Sequence, residues 1–150
     1  MALEGNIASI EGGKFARAFA SGSAATSAIL ACLNPGDHVI CGDDVYGGSF
    51  RLMDKVYKRL GIEFSFVDQT DLTAMRSAMQ PNTKLCWIET PTNPTLKVVY
   101  IEAICALCSE AGVASVVDNT FATPYLQSPL KLGATMVAHS TTKYLGGHSD

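Results

Sequence analysis

Short apolar runs alternate with amphipathic stretches along most of the chain. Ala2 to Glu11 reads as a helix that stops at Gly12-Gly13. Phe15 to Ala20 is a short apolar run and predicts a strand. Ser23 to Leu33 is alanine-rich and predicts a helix. Pro35-Gly36-Asp37 is a turn, and His38 to Cys41 the next strand. Gly48 to Leu60 is amphipathic and helical, ending at Gly61. Glu63 to Val67 predicts a strand and Leu72 to Met79 a short helix. Lys84 to Ile88 predicts a strand, and Ile101 to Ala111 a helix ended by Gly112. Val113 to Val117 is a strand that delivers Asp118, and Thr135 to Ala138 the last strand. No repeat, low-complexity segment or linker interrupts this order.

Strands that alternate with helices imply an α/β domain with a mostly parallel sheet covered on both faces. In such sheets the binding groups gather at the carboxyl edge. The strand ends lead into five polar clusters: Ser21-Gly22-Ser23, Asp43 to Tyr46, Glu89 to Asn93, Asp118-Asn119-Thr120, and His139 to Lys143.

Composition narrows the class. The 150 residues are 47% hydrophobic and carry a formal net charge of −3, which excludes a disordered chain. The mild acidity argues against a nucleic-acid partner. No apolar run approaches the roughly 20 residues that span a bilayer, and the first residues lack the basic and apolar regions of a signal peptide. The expectation is a cytoplasmic protein without a membrane partner. Five cysteines, odd in number and scattered, do not form a disulfide framework. Cys105 and Cys108 match C-x-x-C, but inside a helical stretch they read as small buried side chains. His38, His139 and His148 show no metal-ligand spacing, so no metal is expected.

The polar clusters suggest one chemistry. Small residues in Ser21-Gly22-Ser23-Ala24 let a phosphate approach the N–H groups that begin a helix, although an ordinary helix cap has the same form. Neither G-x-G-x-x-G nor G-x-x-x-x-G-K-[ST] occurs, which disfavours a dinucleotide or ATP. Ser140 and Thr142 place two hydroxyls just before Lys143. Asp118, ending an apolar strand, suits a carboxylate that pairs with a cationic ring nitrogen, or equally a cap or salt bridge. Tyr46 precedes Gly47-Gly48, which leave its ring room against a flat ligand, and Asn93 sits in a rigid turn before Pro94. Together these residues call for one phosphate, a flat ring, a basic ring nitrogen and an electrophilic carbon within reach of a lysine. Pyridoxal 5'-phosphate has all four.

Several stretches resemble the Cys/Met metabolism family of pyridoxal-phosphate enzymes, which includes the cystathionine gamma-lyases and gamma-synthases. They are Ile10-Glu-Gly-Gly13, Ala20-Ser-Gly-Ser-Ala24, Asp44-Val-Tyr-Gly-Gly48, Ile88 to Pro94, Val117-Asp-Asn-Thr-Phe121, His139-Ser-Thr-Thr-Lys-Tyr144 and Gly147-His-Ser-Asp150. They run almost end to end in family order. The resemblance implies a three-layer α/β/α fold: the large domain of fold type I, as in aspartate aminotransferase, filling residues 1–150 without the family's N-terminal arm or C-terminal domain. It also implies roles. Lys143 would hold the cofactor covalently and shuttle protons. Asp118 would pair with the ring nitrogen, and Tyr46 would stack on the ring and assist proton transfer. Gly22 and Ser23 would bind phosphate by backbone, and Ser140 and Thr142 by hydroxyl. Asn93 would lie near the ring hydroxyl and the substrate, and Thr120 beneath the ring.

The activity implied is α,γ-elimination of L-cystathionine to cysteine, 2-oxobutanoate and ammonia, with an amino acid as substrate and a homotetramer, a dimer of dimers, as the assembly. Cystathionine gamma-synthase, beta-lyase and O-acetylhomoserine sulfhydrylase share nearly all these residues. From a different class, a catalytically silent cofactor-binding or assembly module fits as well. Ser23 stands where methionine is common, Gly146 where asparagine is common, and Gly48-Ser49 where methionine gamma-lyases carry a cysteine. Family enzymes are longer, and the arginine that grips the substrate carboxylate is expected beyond residue 150. The isolated chain is therefore expected to turn over weakly or not at all.

Overall fold

A computed structural model describes residues 2–149. Its centre is one sheet of five parallel strands: β1 (His38–Gly42), β2 (Glu63–Val67), β3 (Thr83–Glu89), β4 (Ala114–Asp118) and β5 (Met136–Ala138). Their spatial order is β2-β1-β3-β4-β5. The chain leaves β1 in one direction to make β2 and returns past it to make β3. This reversal leaves a crevice between the carboxyl ends of β1 and β3, where open α/β sheets bind ligands.

Helices cover both faces, giving three layers. Alternation along each strand explains the division, since neighbouring side chains point to opposite sides. Ile40, Cys86, Ile88 and Val117 face one core, closed by α4 (Leu72–Ala78) and α5 (Ile101–Glu110). Val39, Cys41, Leu85, Trp87 and Val116 face the other. There they meet Leu30 of α2 (Gly22–Leu30), together with Met53 and Tyr57 from the helical run that begins as α3 (Gly47–Arg51). That run continues as a π turn, Leu52–Val56, and a 3₁₀ turn, Tyr57–Leu60, before Gly61 ends it at φ 89°. The predicted helix over this stretch is thus one continuous helical segment of changing pitch. α1 (Ala2–Glu11) lies outside these layers, and α6 (Thr123–Leu126) and a 3₁₀ turn at Pro129–Leu132 fill the passage from β4 to β5. The sequence pattern does not anticipate these two short elements.

One predicted strand is absent. Residues 15–20 run without sheet pairing, and Phe15 is 82% exposed. The Ala18 amide donates to the Glu4 carboxylate at 3.1 Å rather than to a neighbouring strand. An apolar run becomes a strand only beside a partner, and β5 and β2 are the sheet's two edges. The C-x-x-C pair sits as expected: Cys105 and Cys108 are buried on α5, and burial raises the Cys105 thiol above its ordinary range.

At the opposite, amino-terminal edge, His38 is buried with both ring nitrogens engaged. Nδ1 meets Thr83 Oγ1 at 2.8 Å and Nε2 meets Ser65 Oγ at 2.9 Å. Burial lowers its pKa below the ordinary 6.5, against the pull of nearby Glu63. Below about pH 6.5 the unfolded chain therefore binds a proton that the folded chain resists, and His38 contributes a loss of stability as pH falls. Urea midpoints measured from pH 7.5 to 5.5 should fall more steeply for the wild type than for His38→Gln; parallel curves would contradict this.

Candidate functional site

Because all five strands run the same way, their carboxyl ends share one edge; the clusters after β1, β3, β4 and β5 converge there, and Ser21-Gly22-Ser23, which follows no strand, joins them from the start of α2. They line a cavity of about 240 Å³. Every residue singled out in the sequence borders it: Gly22 and Ser23 from the start of α2, Tyr46 after β1, and Asn93 after β3. Asp118 and Thr120 join them from the end of β4, with Ser140, Thr142 and Lys143 after β5.

One end of the cavity is formed by the start of α2. Ser21 caps α2, its hydroxyl accepting the Ala24 amide at 3.1 Å. The N–H groups of the first turn have no carbonyl one turn earlier to receive them, and they carry the positive end of the helix dipole. Gly22 is packed tightly here: a Cβ added to it would stand 2.9 Å from Ser140 Cβ. Only glycine lets the two backbones approach so closely.

The other end is acidic. Asp118 and Glu89 are register partners on neighbouring strands, so their carboxylates end up side by side. Burial raises the pKa of Asp118, opposed by hydrogen bonds from Thr120 and by His139. Among the described residues, both hydrogen bonds to this carboxylate fall on Oδ1, from Thr120 N at 3.1 Å and Thr120 Oγ1 at 2.5 Å, and none on Oδ2. The Thr120 hydroxyl spends its one proton on Asp118 and accepts the Ser140 amide at 2.9 Å. It therefore ties the acidic end to the end formed by α2.

Glu89 is 6% exposed, and burial is the main cause that pushes its pKa up to about 7. The backbone amides of Tyr46 and Asn93 oppose that rise, while Asp118 and Asp44 add to it. Tyr46 lies over Gly48, where an added Cβ would come within 2.3 Å of the ring. The ring thus rests against the backbone of Gly48.

Sequence reasoning passed over Glu89, which it saw only as part of a polar cluster. The signal was present: Glu89 ends an apolar strand as Asp118 does. His139, Ser49 and Phe121 also border the cavity. His139 belongs to a buried polar group in which its Nε2 pairs with Glu11 Oε1. The same carboxylate oxygen accepts Asn119 Nδ2 at 2.9 Å. α1 thus reaches the loops after β4 and β5 through one carboxylate. Asp150, the last residue of the final resembling motif, lies outside the described residues.

The family model for Cys/Met metabolism PLP-dependent enzymes matches residues 1–150. A probable cystathionine gamma-synthase of Herpetosiphon aurantiacus is 54% identical over 149 residues, covering 99% of this chain and 47% of that protein. The cystathionine gamma-lyase of Bacillus subtilis is 52% identical over 149 residues, covering 99% of this chain and 39% of its own. The crystal structure of cystathionine gamma-lyase from Lactobacillus plantarum complexed with L-serine superposes with a TM-score of 0.97 at 50% identity, over 99% of this chain and 39% of that one. The chain therefore spans less than half the length of these relatives.

The unusual group in the cavity is testable without a ligand. Carboxyl NMR of ¹³C-glutamate-labelled protein should show one glutamate titrating with a midpoint of about 7, neutral below and ionised above, and Glu89→Gln should remove that resonance. A set of glutamates that all titrate in the ordinary range near 4.3 would refute it.

Proposed function

The chain belongs to the Cys/Met metabolism PLP-dependent enzymes, and from that premise we propose that the whole protein is a cystathionine gamma-lyase-like enzyme. Its reaction converts L-cystathionine and water to cysteine, 2-oxobutanoate and ammonia. The family's cofactor is pyridoxal phosphate, and the chemistry of the cavity fits it. The acidic end presents the Asp118 carboxylate to a cationic ring nitrogen, with Glu89 in register beside it. The close approach of Gly22 to Ser140 makes a cradle that a side chain would fill, suited to a phosphate. A lysine borders the same cavity. The observation that carries the reading is this convergence of Lys143, Asp118 and the anion cradle on one cavity from three separate elements.

When bound, the cofactor supplies an electron sink that stabilises negative charge on the substrate's carbon next to the amine. The protein's residues supply the rest. Lys143 would hold the cofactor covalently and, once released from it, would take and return protons at Nζ. Asp118 Oδ2 would keep the ring nitrogen protonated, and Thr120, bonded twice to Oδ1, orients that carboxylate. The Gly22 and Ser23 amides and the Ser140 and Thr142 hydroxyls hold the phosphate. Tyr46 covers the ring face and assists proton transfer, while the Asn93 amide addresses the ring hydroxyl and the substrate.

A second reading has a specific support. The gamma-synthase relative is as similar to the chain as the gamma-lyase relative, at 54% against 52%. γ-Replacement by a thiol would use the same cofactor residues and differ in what finally adds to the substrate. The product decides: release of 2-oxobutanoate from cystathionine marks the lyase, and formation of cystathionine from an O-acyl homoserine and cysteine marks the synthase. We propose residues 1–150 as most of the cofactor-binding domain. The substrate-carboxylate arginine then lies elsewhere in the protein, and tetrameric assembly completes the site.

The holoprotein should be yellow, and borohydride should fix the cofactor on Lys143. Lys143→Ala should lose both the colour and the adduct; a persisting adduct would place the cofactor on another lysine. A colourless wild type without adduct would favour the silent module. Asp118→Asn should keep the adduct and lose about a hundredfold or more in kcat, the scale of removing one preorganised group from a water-excluded site. Unchanged turnover would remove Asp118 from the reaction.

A further inference from the structure

Glu89 closes β3 at the sheet's switch point and is nearly inaccessible to solvent. Its two carboxylate oxygens are used separately. Oε2 accepts the Tyr46 amide at 2.9 Å, and Oε1 accepts the Asn93 amide at 3.0 Å. Tyr46 belongs to the segment after β1 and Asn93 to the loop after β3, so one side chain bridges the two walls of the crevice. Both residues border the cavity. Among uncharged side chains of this length glutamine has only one acceptor, and its amide nitrogen would confront the second N–H. A carboxylate is the group that satisfies both amides.

A neutral residue would be easier to bury here, since Asp118 stands in register alongside and burying like charges together is unfavourable. The loop after β3 is also held by hydrogen bonds that do not involve Glu89. Asp44 accepts Thr95 N at 3.1 Å and the hydroxyls of Thr92 and Thr95. Lys97 N donates to Thr92 Oγ1 at 2.8 Å, and Val99 N to Thr90 Oγ1 at 3.1 Å. What Glu89 adds is confined to the two residues that face the ligand.

We infer that Glu89 is a positioning residue: its carboxylate clamps the backbones of Tyr46 and Asn93 so that both side chains meet the cofactor's ring from opposite walls of the crevice. The inference rests on the cofactor reading above.

The test is a thermodynamic cycle on the full-length apoprotein, with pyridoxal phosphate as the probe. Its dissociation constant is measured by fluorescence, and its orientation by the circular dichroism induced in its visible band. Glu89→Gln should weaken binding by about tenfold and change the induced dichroism, as loss of a hydrogen bond to a charged acceptor predicts. In a background carrying Tyr46→Ala and Asn93→Ala there is nothing left to position. There the penalty should shrink to within about twofold, because coupled residues do not add. A tenfold penalty that persists in that background would make Glu89 merely structural and overturn the inference, as would wild-type affinity and dichroism in Glu89→Gln. If Glu89→Gln does not fold by far-ultraviolet circular dichroism, Glu89→Asp, one methylene shorter, carries the same cycle. A wild type that binds no pyridoxal phosphate and yields no Lys143 adduct would instead overturn the cofactor reading itself.

Discussion

The parallel pairing of β3 with β4 puts Glu89 beside Asp118 at the carboxyl edge of the sheet, and the rest of the site follows from that. Apolar strands force the juxtaposition: the residues before each acid are fully buried, so the register cannot slip without exposing them. Two acids held together away from water raise each other's cost of ionisation. A cation that enters between them relieves that cost. The acidity of this end of the cavity is therefore a consequence of strand register rather than of any one residue.

The acidic end is coupled to the rest of the cavity by single atoms with double duties. The Thr120 hydroxyl orients Asp118 and takes the Ser140 amide. Glu89 spans Tyr46 and Asn93. Glu11, at the end of a mostly exposed helix, holds His139 and Asn119 through one oxygen. Gln127 extends this group by donating to Asn119 Oδ1 at 2.8 Å and to the Thr90 carbonyl at 3.1 Å. The loops after β3, β4 and β5 are thus joined behind the cavity, and a ligand meets a surface already ordered. Preorganisation of this kind is what lets fixed groups stabilise charge without reorienting during the reaction.

Such order has a local cost. Among the described residues, Glu11 Oε2, His139 Nδ1 and Trp87 Nε1 are buried without a hydrogen-bond partner, and each such atom forfeits about 1–3 kcal/mol. Two of the three sit in the network behind the cavity. The sheet carries one apolar layer on each face. Stability comes from those layers, and part of it is given up at the edge where ligand-facing groups must stay polar.

Much of this was legible along the chain. Short apolar runs and glycine stops located all five sheet strands to within about two residues, because a strand buried on both faces must be apolar and short. The rule that ligands gather at the carboxyl edge then pointed to the cavity residues that follow β1, β3, β4 and β5, whereas Gly22 and Ser23 reach the cavity from the start of α2 and not from a strand end. Other features had no sequence signature. Residues 15–20 look like a strand and pair with nothing, since pairing is a property of neighbours. Glu89 as a bridge between two walls depends on β1 and β3 lying side by side, although more than forty residues separate them. The bond from Glu11 to His139 joins opposite ends of the chain. Residue type and local spacing determined which chemistry the chain carries. Which of its acids stand together, and which amides each one holds, was decided only when the strands took their order in the sheet, because hydrogen bonds and charge act over ångströms in space and not along the sequence.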